Sequence, residues 1–272
     1  MSRSVLVTGA TSGIGLATAL HLAELGFQVL GSARTEHTAA RLVQAAEQAG
    51  VEVEPVVFDL TDADACERAL ADRTLYGLVN NAGYYNVGTV VDVPPGDALR
   101  QLETMVVAPM RLARLALPTM RERFEGRIVN VSSSLVHLTG PLTGWYQASN
   151  TALSAVSDAL RIEVASFGVD VVVIEPGGIE TDIWRKAEND LLRHRAGSDY
   201  VTAYDRALRI LNALMGRMHP PEAVAEVVGT ALTAGRPRAH YRVGADAVAL
   251  RWGGPLVPTG LRDRLARAVL GL

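Results

Sequence analysis

The sequence predicts a doubly wound α/β fold, a single parallel sheet with helices on both faces. Three observations predict it: short β-branched runs recur along the chain, amphipathic stretches separate them, and several of those stretches stop just before a glycine. Parallel neighbours need a crossover connection, so strand, helix and strand in alternation call for a sheet covered on both sides.

The first run, Val5 to Val7, leads into a helical stretch from Gly13 to Leu25 that stops at Gly26; the second, Val29-Leu30, leads into Glu36 to Gln48, before Gly50. Val56 to Phe58, Leu78-Val79, Ile128-Val129 and Asp170 to Ile174 follow. A long helix from Gly96 to Glu122 precedes the fifth run, and another from Tyr146 to Phe167, stopped by Gly168, precedes the sixth. Runs this apolar read as strands buried on both faces. A glycine just past a helix end supplies the left-handed turn at little steric cost. Between Asp182 and His219 charges cluster at Arg185, Lys186, Glu188, Asp190, Arg193 and Arg195 amid helical spacing at Leu208, Leu211, Leu214 and Met215, which predicts a small helical substrate lid at 182–219. No repeat, low-complexity run or Pro/Ser-rich linker divides the chain, so 1–272 reads as one domain.

With 272 residues, 49% hydrophobic and 20% charged, the chain can bury a sizeable core and is neither disordered nor fibrous. Lys+Arg 26 against Asp+Glu 29 gives a net charge of −3, without the bulk positive field that nucleic-acid or anionic-membrane binding uses. The expected partner is a small molecule. Cys66 is the single cysteine, which excludes an internal disulfide, paired-thiol redox chemistry and a Cys-rich zinc site, and no metal site is expected. The start of the chain enters a strand without the regions of a secretory signal, and the longest stretch free of Asp, Glu, Lys and Arg, Ile128 to Ser157, is broken by Gly140, Pro141 and Gly144. A cytoplasmic protein with no membrane span is therefore expected.

Thr8-Gly9-Ala10-Thr11-Ser12-Gly13-Ile14-Gly15 lies between the first strand and the first helix. A glycine-rich turn there lets the backbone approach a pyrophosphate and sets the anion on the amides and positive dipole end of the helix. Asp59-Leu60 follows the third strand, Asn80-Asn81-Ala82-Gly83 the fourth and Ser132-Ser133 the fifth; Tyr146 opens a long helix, and Pro176-Gly177-Gly178-Ile179-Glu180-Thr181-Asp182 follows the sixth strand. This series, with His219 to Ala225 and Tyr241 to Gly244 beyond it, resembles the short-chain dehydrogenase/reductase family along nearly the whole chain, and its hydroxysteroid- and retinol-dehydrogenase-like branch in particular. The resemblance implies a Rossmann-type sheet and a dinucleotide held at four places. These are Thr8, Gly9, Thr11, Ser12, Gly13, Ile14 and Gly15; Asp59 and Leu60; Asn81, Ala82 and Gly83; and Pro176, Gly177, Ile179 and Thr181. It puts the adenosine half at Gly9, Asp59 and Asn81 and the nicotinamide carboxamide at the last turn. At the end of the second strand, Ala33 and Arg34 present no carboxylate to repel a 2′-phosphate and one cation to hold it, so NADP(H) is expected over NAD(H).

By the same resemblance Tyr146 exchanges the proton on a carbonyl oxygen and Ser133 hydrogen-bonds that oxygen. Two positions depart from the family. Where it carries a lysine four residues after the tyrosine, on the same helix face, this chain has Asn150, and the relay asparagine of the preceding helix falls on Met105. The one lysine, Lys186, lies in the lid. Losing a cation that depresses the tyrosine pKa removes roughly 3–4 kcal/mol of tyrosinate stabilisation. Oxidation, which needs tyrosinate, suffers more than reduction, which uses the neutral phenol. Asn150 keeps the capacity to hydrogen-bond a ribose hydroxyl. His137, four residues past Ser133, reads either as a proton relay or as a plain loop histidine. Tyr84, Tyr85, Trp145 and Trp184 read either as an aromatic substrate pocket or as packing under loops.

The leading expectation is an NADP(H)-dependent reductase of a carbonyl or related group on a hydrophobic small molecule. The alternatives are a non-redox enzyme on the same fold (a cyclase, dehydratase, epimerase or dehalogenase-like enzyme) and a catalytically silent NADP(H)-binding protein. The helices Gly96 to Glu122 and Tyr146 to Phe167 pair across a two-fold axis in many relatives, which implies a homodimer or homotetramer. The stripe Leu153, Val156, Leu160 and Val164 fits that contact or a cover for the sheet.

Overall fold

The computed structural model describes residues 3–216, 218–253 and 256–272; Arg217, within the expected lid, lies outside the described residues. Seven parallel strands pair in the order β3-β2-β1-β4-β5-β6-β7. They are β1 Ser4–Val7, β2 Gln28–Ala33, β3 Val53–Val57, β4 Gly77–Asn80, β5 Gly126–Val131, β6 Val169–Pro176 and β7 His240–Val243. The order reverses between β1 and β4, so the loops leaving these two strands diverge and open a crevice at their carboxyl ends.

Alternation along the strands builds two cores. Val5, Val7, Val79 and Val129 point to the face covered by α1 (Gly13–Glu24) and α9 (Glu222–Thr233), against Leu22, Val228 and Leu232. Leu6, Leu78 and Ile128 point to the face covered by α5 (Ala108–Arg123), against Leu112 and Met120. Each of these fully buried side chains contributes roughly 1.5–3 kcal/mol of transfer free energy. A third cluster, with Tyr85, Leu142, Leu191 and Tyr204, lies beneath α7 (Ile183–Arg195) and α8 (Val201–Leu214), the two helices of the predicted lid. Arg195 joins these helices by a forked pair of bonds to Asp205, at 2.6 and 3.1 Å.

Three expectations need correction. β3 is not buried on both faces: it is an edge strand whose Val57 is exposed, and it tolerates Pro55 because one side of an edge needs no ladder donor. A seventh strand, β7, joins the far edge; at four residues with only Val243 buried it has no apolar run to announce it. The helix expected over Gly96 to Glu122 is three segments, α4 (Pro95–Leu102), a π turn at Glu103–Val107, and α5. Pro109 has no N–H for the carbonyl of Met105, and the ladder slips, with the Ala108 N–H donating to the Glu103 carbonyl five residues back. The remaining helices are α2 (Glu36–Ala49), α3 (Ala63–Leu70), α6 (Gly144–Val164), α10 (Ala245–Gly253) and α11 (Thr259–Leu270).

Candidate active site

The glycine-rich turn is built for close backbone approach. Gly9 and Gly13 sit at φ 66° and 52°, and a Cβ on Gly15 would collide with the Gly9 carbonyl oxygen, so a side chain there drives the turn apart. The Gly9 N–H donates to Ser32 Oγ at 3.0 Å, and Thr8 Oγ1 accepts from the Asn81 and Ala82 amides at 2.9 and 3.0 Å. The ends of β1, β2 and β4 are thereby locked together. The first turn of α1 carries no acidic residue and no side chain caps it, which leaves its amides and positive dipole end for an anion.

A cleft of about 600 Å³ runs from this turn along the crevice, past Arg34 and Asp59 at one end and Asn81 at its middle to Tyr146 and Asn150. The Asp59 carboxyl is held below its usual range by the Thr61 amide, which donates to it at 2.8 Å, and by the Thr61 hydroxyl, with burial working against them and Arg34 adding attraction. Ala33 and Arg34 both line the cleft, and no carboxylate stands at the end of β2. The bare backbone at Gly15, the unspent helix end and the elongated cleft fit a dinucleotide.

At the other end Tyr146 stands in the first turn of α6. Burial pushes its phenol up, and hydrogen bonding with Ser133 and Asn150 offsets this only in part. Asn150 follows one turn later, where its Nδ2 donates to the Tyr146 carbonyl at 2.9 Å; its Oδ1 is buried without a partner. A buried amide oxygen left in this state costs about 1–3 kcal/mol, which a hydroxyl donor in the cleft would recover. Met105 projects into the same cleft from the π turn. Tyr85 packs on Tyr146 with ring centroids 4.3 Å apart, and Trp184 meets Tyr85 edge-on at 5.7 Å. Tyr84 lines the cleft and keeps a buried hydroxyl with no partner.

Several expected residues stand elsewhere. Thr8, Gly15, Pro176, Gly177 and Ile179 form the scaffold behind the cleft wall, while Thr11, Ser12, Gly13, Ile14, Leu60, Ala82, Gly83 and Thr181 line it. Ser133 sits just behind Tyr146, with its Oγ accepting from the Leu135 amide at 3.2 Å. Trp145 is not in the cleft: its indole donates to the Val90 carbonyl at 3.2 Å and pins a loop. His137 is not a relay toward Tyr146 either. Its Nε2 donates to Glu175 at 3.0 Å, and Glu175, 2% exposed, also takes His240 at 3.0 Å and pairs with Arg242 at 3.1 Å. Burial works to raise the Glu175 carboxyl, but these partners outweigh it and bring it down to about 2. Sequence reasoning also missed Asp246, whose carboxylate accepts from the Gly178 amide at 2.7 Å and fills the space where a side chain on Gly177 would stand. Nothing in the spacing of the chain links positions 178 and 246. Arg100 of α4 and Lys186 of α7 both line the cleft.

Comparison with known proteins agrees with this geometry. The family model for short chain dehydrogenase matches residues 3–192. An NADPH-dependent 3-dehydrocapnine reductase of Ornithobacterium rhinotracheale is 31% identical over 97% of this chain and 95% of its own, and human retinol dehydrogenase 5 is 30% identical over 98% and 88%. Among solved structures, a tryptophan variant of actinorhodin polyketide ketoreductase with NADPH superposes with a TM-score of 0.76 at 28% identity, covering 92% of this chain and 97% of that one. A doubly wound sheet opened by a glycine turn, matched over most of its length by the family model and end to end by relatives, places this chain in the short chain dehydrogenase family.

Proposed function

We propose that the protein is an NADPH-dependent reductase of a carbonyl group on an apolar small molecule, and that it is a poor catalyst of the reverse oxidation. The observation that carries this reading is one continuous cleft with Arg34 and no carboxylate at the end of β2 on one side and, at the other, a tyrosine whose phenol burial holds in its protonated form. When bound, the nicotinamide supplies the hydride. The Tyr146 hydroxyl gives its proton to the carbonyl oxygen, and Ser133 donates a hydrogen bond to that oxygen. Asn150 Oδ1 accepts from a ribose hydroxyl, which ends its isolation. Tyr84 lines the wall, Tyr85 and Trp184 pack behind Tyr146, and Ile183 and Lys186 of α7 border the cleft. Loss of the lysine cation leaves the phenol protonated across neutral pH, which suits an acid and starves a base.

One observation favours a second reading. With Asn150 and Met105 at two positions of the family's proton relay, a non-redox enzyme in which Ser133 and Tyr146 grip an oxygen uses everything the site retains. Assembly as a homodimer through α5 and α6, where Phe124 and Ile162 are exposed, belongs to the proposal as well.

The test is a fluorescence titration with NADPH and NADH, followed by ketone turnover for the wild type and Asn150→Lys. Tighter binding of NADPH, with a gain of turnover in the variant, is the expected result. Absence of binding by either nucleotide sinks the reading.

A further inference from the structure

The proposed reaction leaves two polar atoms of the cleft wall idle. Asn86 is 3% exposed and lines the cleft, and its Oδ1 is buried without a partner. Two residues earlier Tyr84 lines the same cleft, and its hydroxyl is buried in the same state. Two helices hold the stretch that carries them. From α4, Gln101 Nε2 donates to the Tyr84 carbonyl at 3.0 Å; from α7, His194 Nδ1 donates to the Val87 carbonyl at 2.8 Å. Arg193, beside His194, joins those helices, with Asp190 at 3.0 Å and Asp97 of α4 at 3.7 Å. Tyr85, between Tyr84 and Asn86, packs on Tyr146 with ring centroids 4.3 Å apart. The idle atoms therefore belong to the two immediate neighbours of a residue that touches Tyr146, on backbone fixed by hydrogen bonds.

We propose that Tyr84 and Asn86 form a subsite for an uncharged hydroxyl group of the substrate, so that the preferred substrates are carbonyl compounds bearing a second, alcoholic or phenolic oxygen. This rests on the proposed function, since the hydroxyl belongs to the molecule whose carbonyl is reduced. Buried polar groups are nearly always hydrogen-bonded, and one that is not needs a cause. In the wall of a cleft the missing partner is supplied by the molecule that enters. A hydroxyl carries one donor and two lone pairs: it donates to Asn86 Oδ1 and exchanges a hydrogen bond with the Tyr84 hydroxyl, which itself both donates and accepts.

Charged groups fit the subsite less well. An anion would meet the lone pairs of Asn86 Oδ1, and Asp97 and Asp190 stand close enough to Tyr84 to act on its phenol. A cation would find both of those carboxylates already paired with Arg193. Burial is the largest influence on the Tyr84 phenol and pushes it up, so at neutral pH the group remains a hydroxyl. A site built on buried hydrogen-bonding groups rejects an analogue that lacks the matching group, because its own atoms are then left unpaired. In the sequence Tyr84 reads as an aromatic surface or as packing; the structure gives its hydroxyl the distinctive part.

The experiment uses two matched pairs of ketones, cyclohexanone with 4-hydroxycyclohexanone and 4-phenylbutan-2-one with 4-(4-hydroxyphenyl)butan-2-one, which set the hydroxyl near the carbonyl and far from it. Each is titrated calorimetrically into the full chain with and without the oxidised cofactor, and turnover is followed with NADPH. The expected result is that the hydroxylated member of at least one pair binds about tenfold tighter than its parent. Tyr84→Phe and Asn86→Ala should each narrow that preference to about twofold or less. Neither should lower the Tm of the free protein by more than about 2 °C, because neither breaks a hydrogen bond within the protein. Binding is read without turnover: a preference with no reduction of any ketone keeps the subsite and removes the redox reading, whereas reduction with no preference does the reverse. Equal affinities within both pairs overturn the proposal. So does a preference that survives both variants, since other groups then hold the hydroxyl, or a large fall in Tm for both, since these side chains then serve the loop itself.

Discussion

The two ends of the cleft have been treated differently. At the phosphate end every feature that brings backbone to an anion is in place: two glycines at positive φ, a third with no room for a methyl group, and an uncapped helix. At the other end Tyr146, Asn150 and Met105 line the cleft and Ser133 stands behind Tyr146; in the proposed function Asn150 and Met105 occupy the positions of a cation and an amide. Binding and proton transfer are therefore separable in this molecule, since one depends on backbone shape and the other on individual side chains.

The sharpest way to break that contrast is Tyr146→Phe, which removes one hydroxyl. Turnover should fall by about 100-fold to 10,000-fold, while the NADPH dissociation constant stays put; a parallel loss of binding would show that the two ends are not independent. Gly15→Ala is the mirror experiment. The added methyl runs into the Gly9 carbonyl oxygen, and a steric cost of about 1–3 kcal/mol predicts roughly 10-fold to 100-fold weaker NADPH binding in a calorimetric titration. Asn150→Lys sharpens the chemical side: alcohol oxidation should gain about tenfold or more, and reduction less, because the new cation favours the tyrosinate over the phenol. Equal gains in both directions would point to cofactor positioning instead. Arg34→Ala should narrow the preference for NADPH over NADH by about tenfold, the smallest of the binding effects.

A pH effect tests the charged cluster at the carboxyl end of β6. Glu175 has its folded pKa lowered to about 2 from 4.5, so its contribution to stability is present above pH 4.5 and is lost as pH falls toward 2. His240, raised above 6.5 by its hydrogen bond from the ring to Glu175, contributes below pH 6.5 and loses this as pH rises through its folded value. The difference in Tm between wild type and Glu175→Gln should be widest between these limits and shrink on acidification. A constant difference would mean that Glu175 contributes packing rather than charge.

Much of the fold was legible because its signals are local. The strands that become β1, β4, β5 and β6 are apolar on both faces, and Gly26, Gly50 and Gly168 mark helix ends without reference to anything distant. Edge strands gave less: β3 alternates and β7 is polar, since neither is enclosed by two layers. In the site, the glycine turn followed from its place between a strand and a helix, and Tyr146 from the family resemblance. The Glu175 cluster did not, since it brings His137 from the turn after β5 to His240 and Arg242 of β7, and Asp246 reaches Gly178 from 68 positions away. Contacts of that kind carry no periodicity. The same reason explains why the sequence left His137 open between a relay and a plain loop histidine, and did not show its bond to Glu175.

The π turn at Glu103–Val107 bears on how easily this chemistry could change over evolutionary time. Its extra residue is set by Pro109, not by the side chain at position 105, so the backbone keeps aiming that position into the cleft whatever residue occupies it. Asn150 likewise occupies its place one helical turn beyond Tyr146. Met105→Asn with Asn150→Lys would thus rebuild a complete proton path by two exchanges and no remodelling of the chain. On the proposed function, a weak and a strong dehydrogenase on this backbone are therefore separated by two side chains.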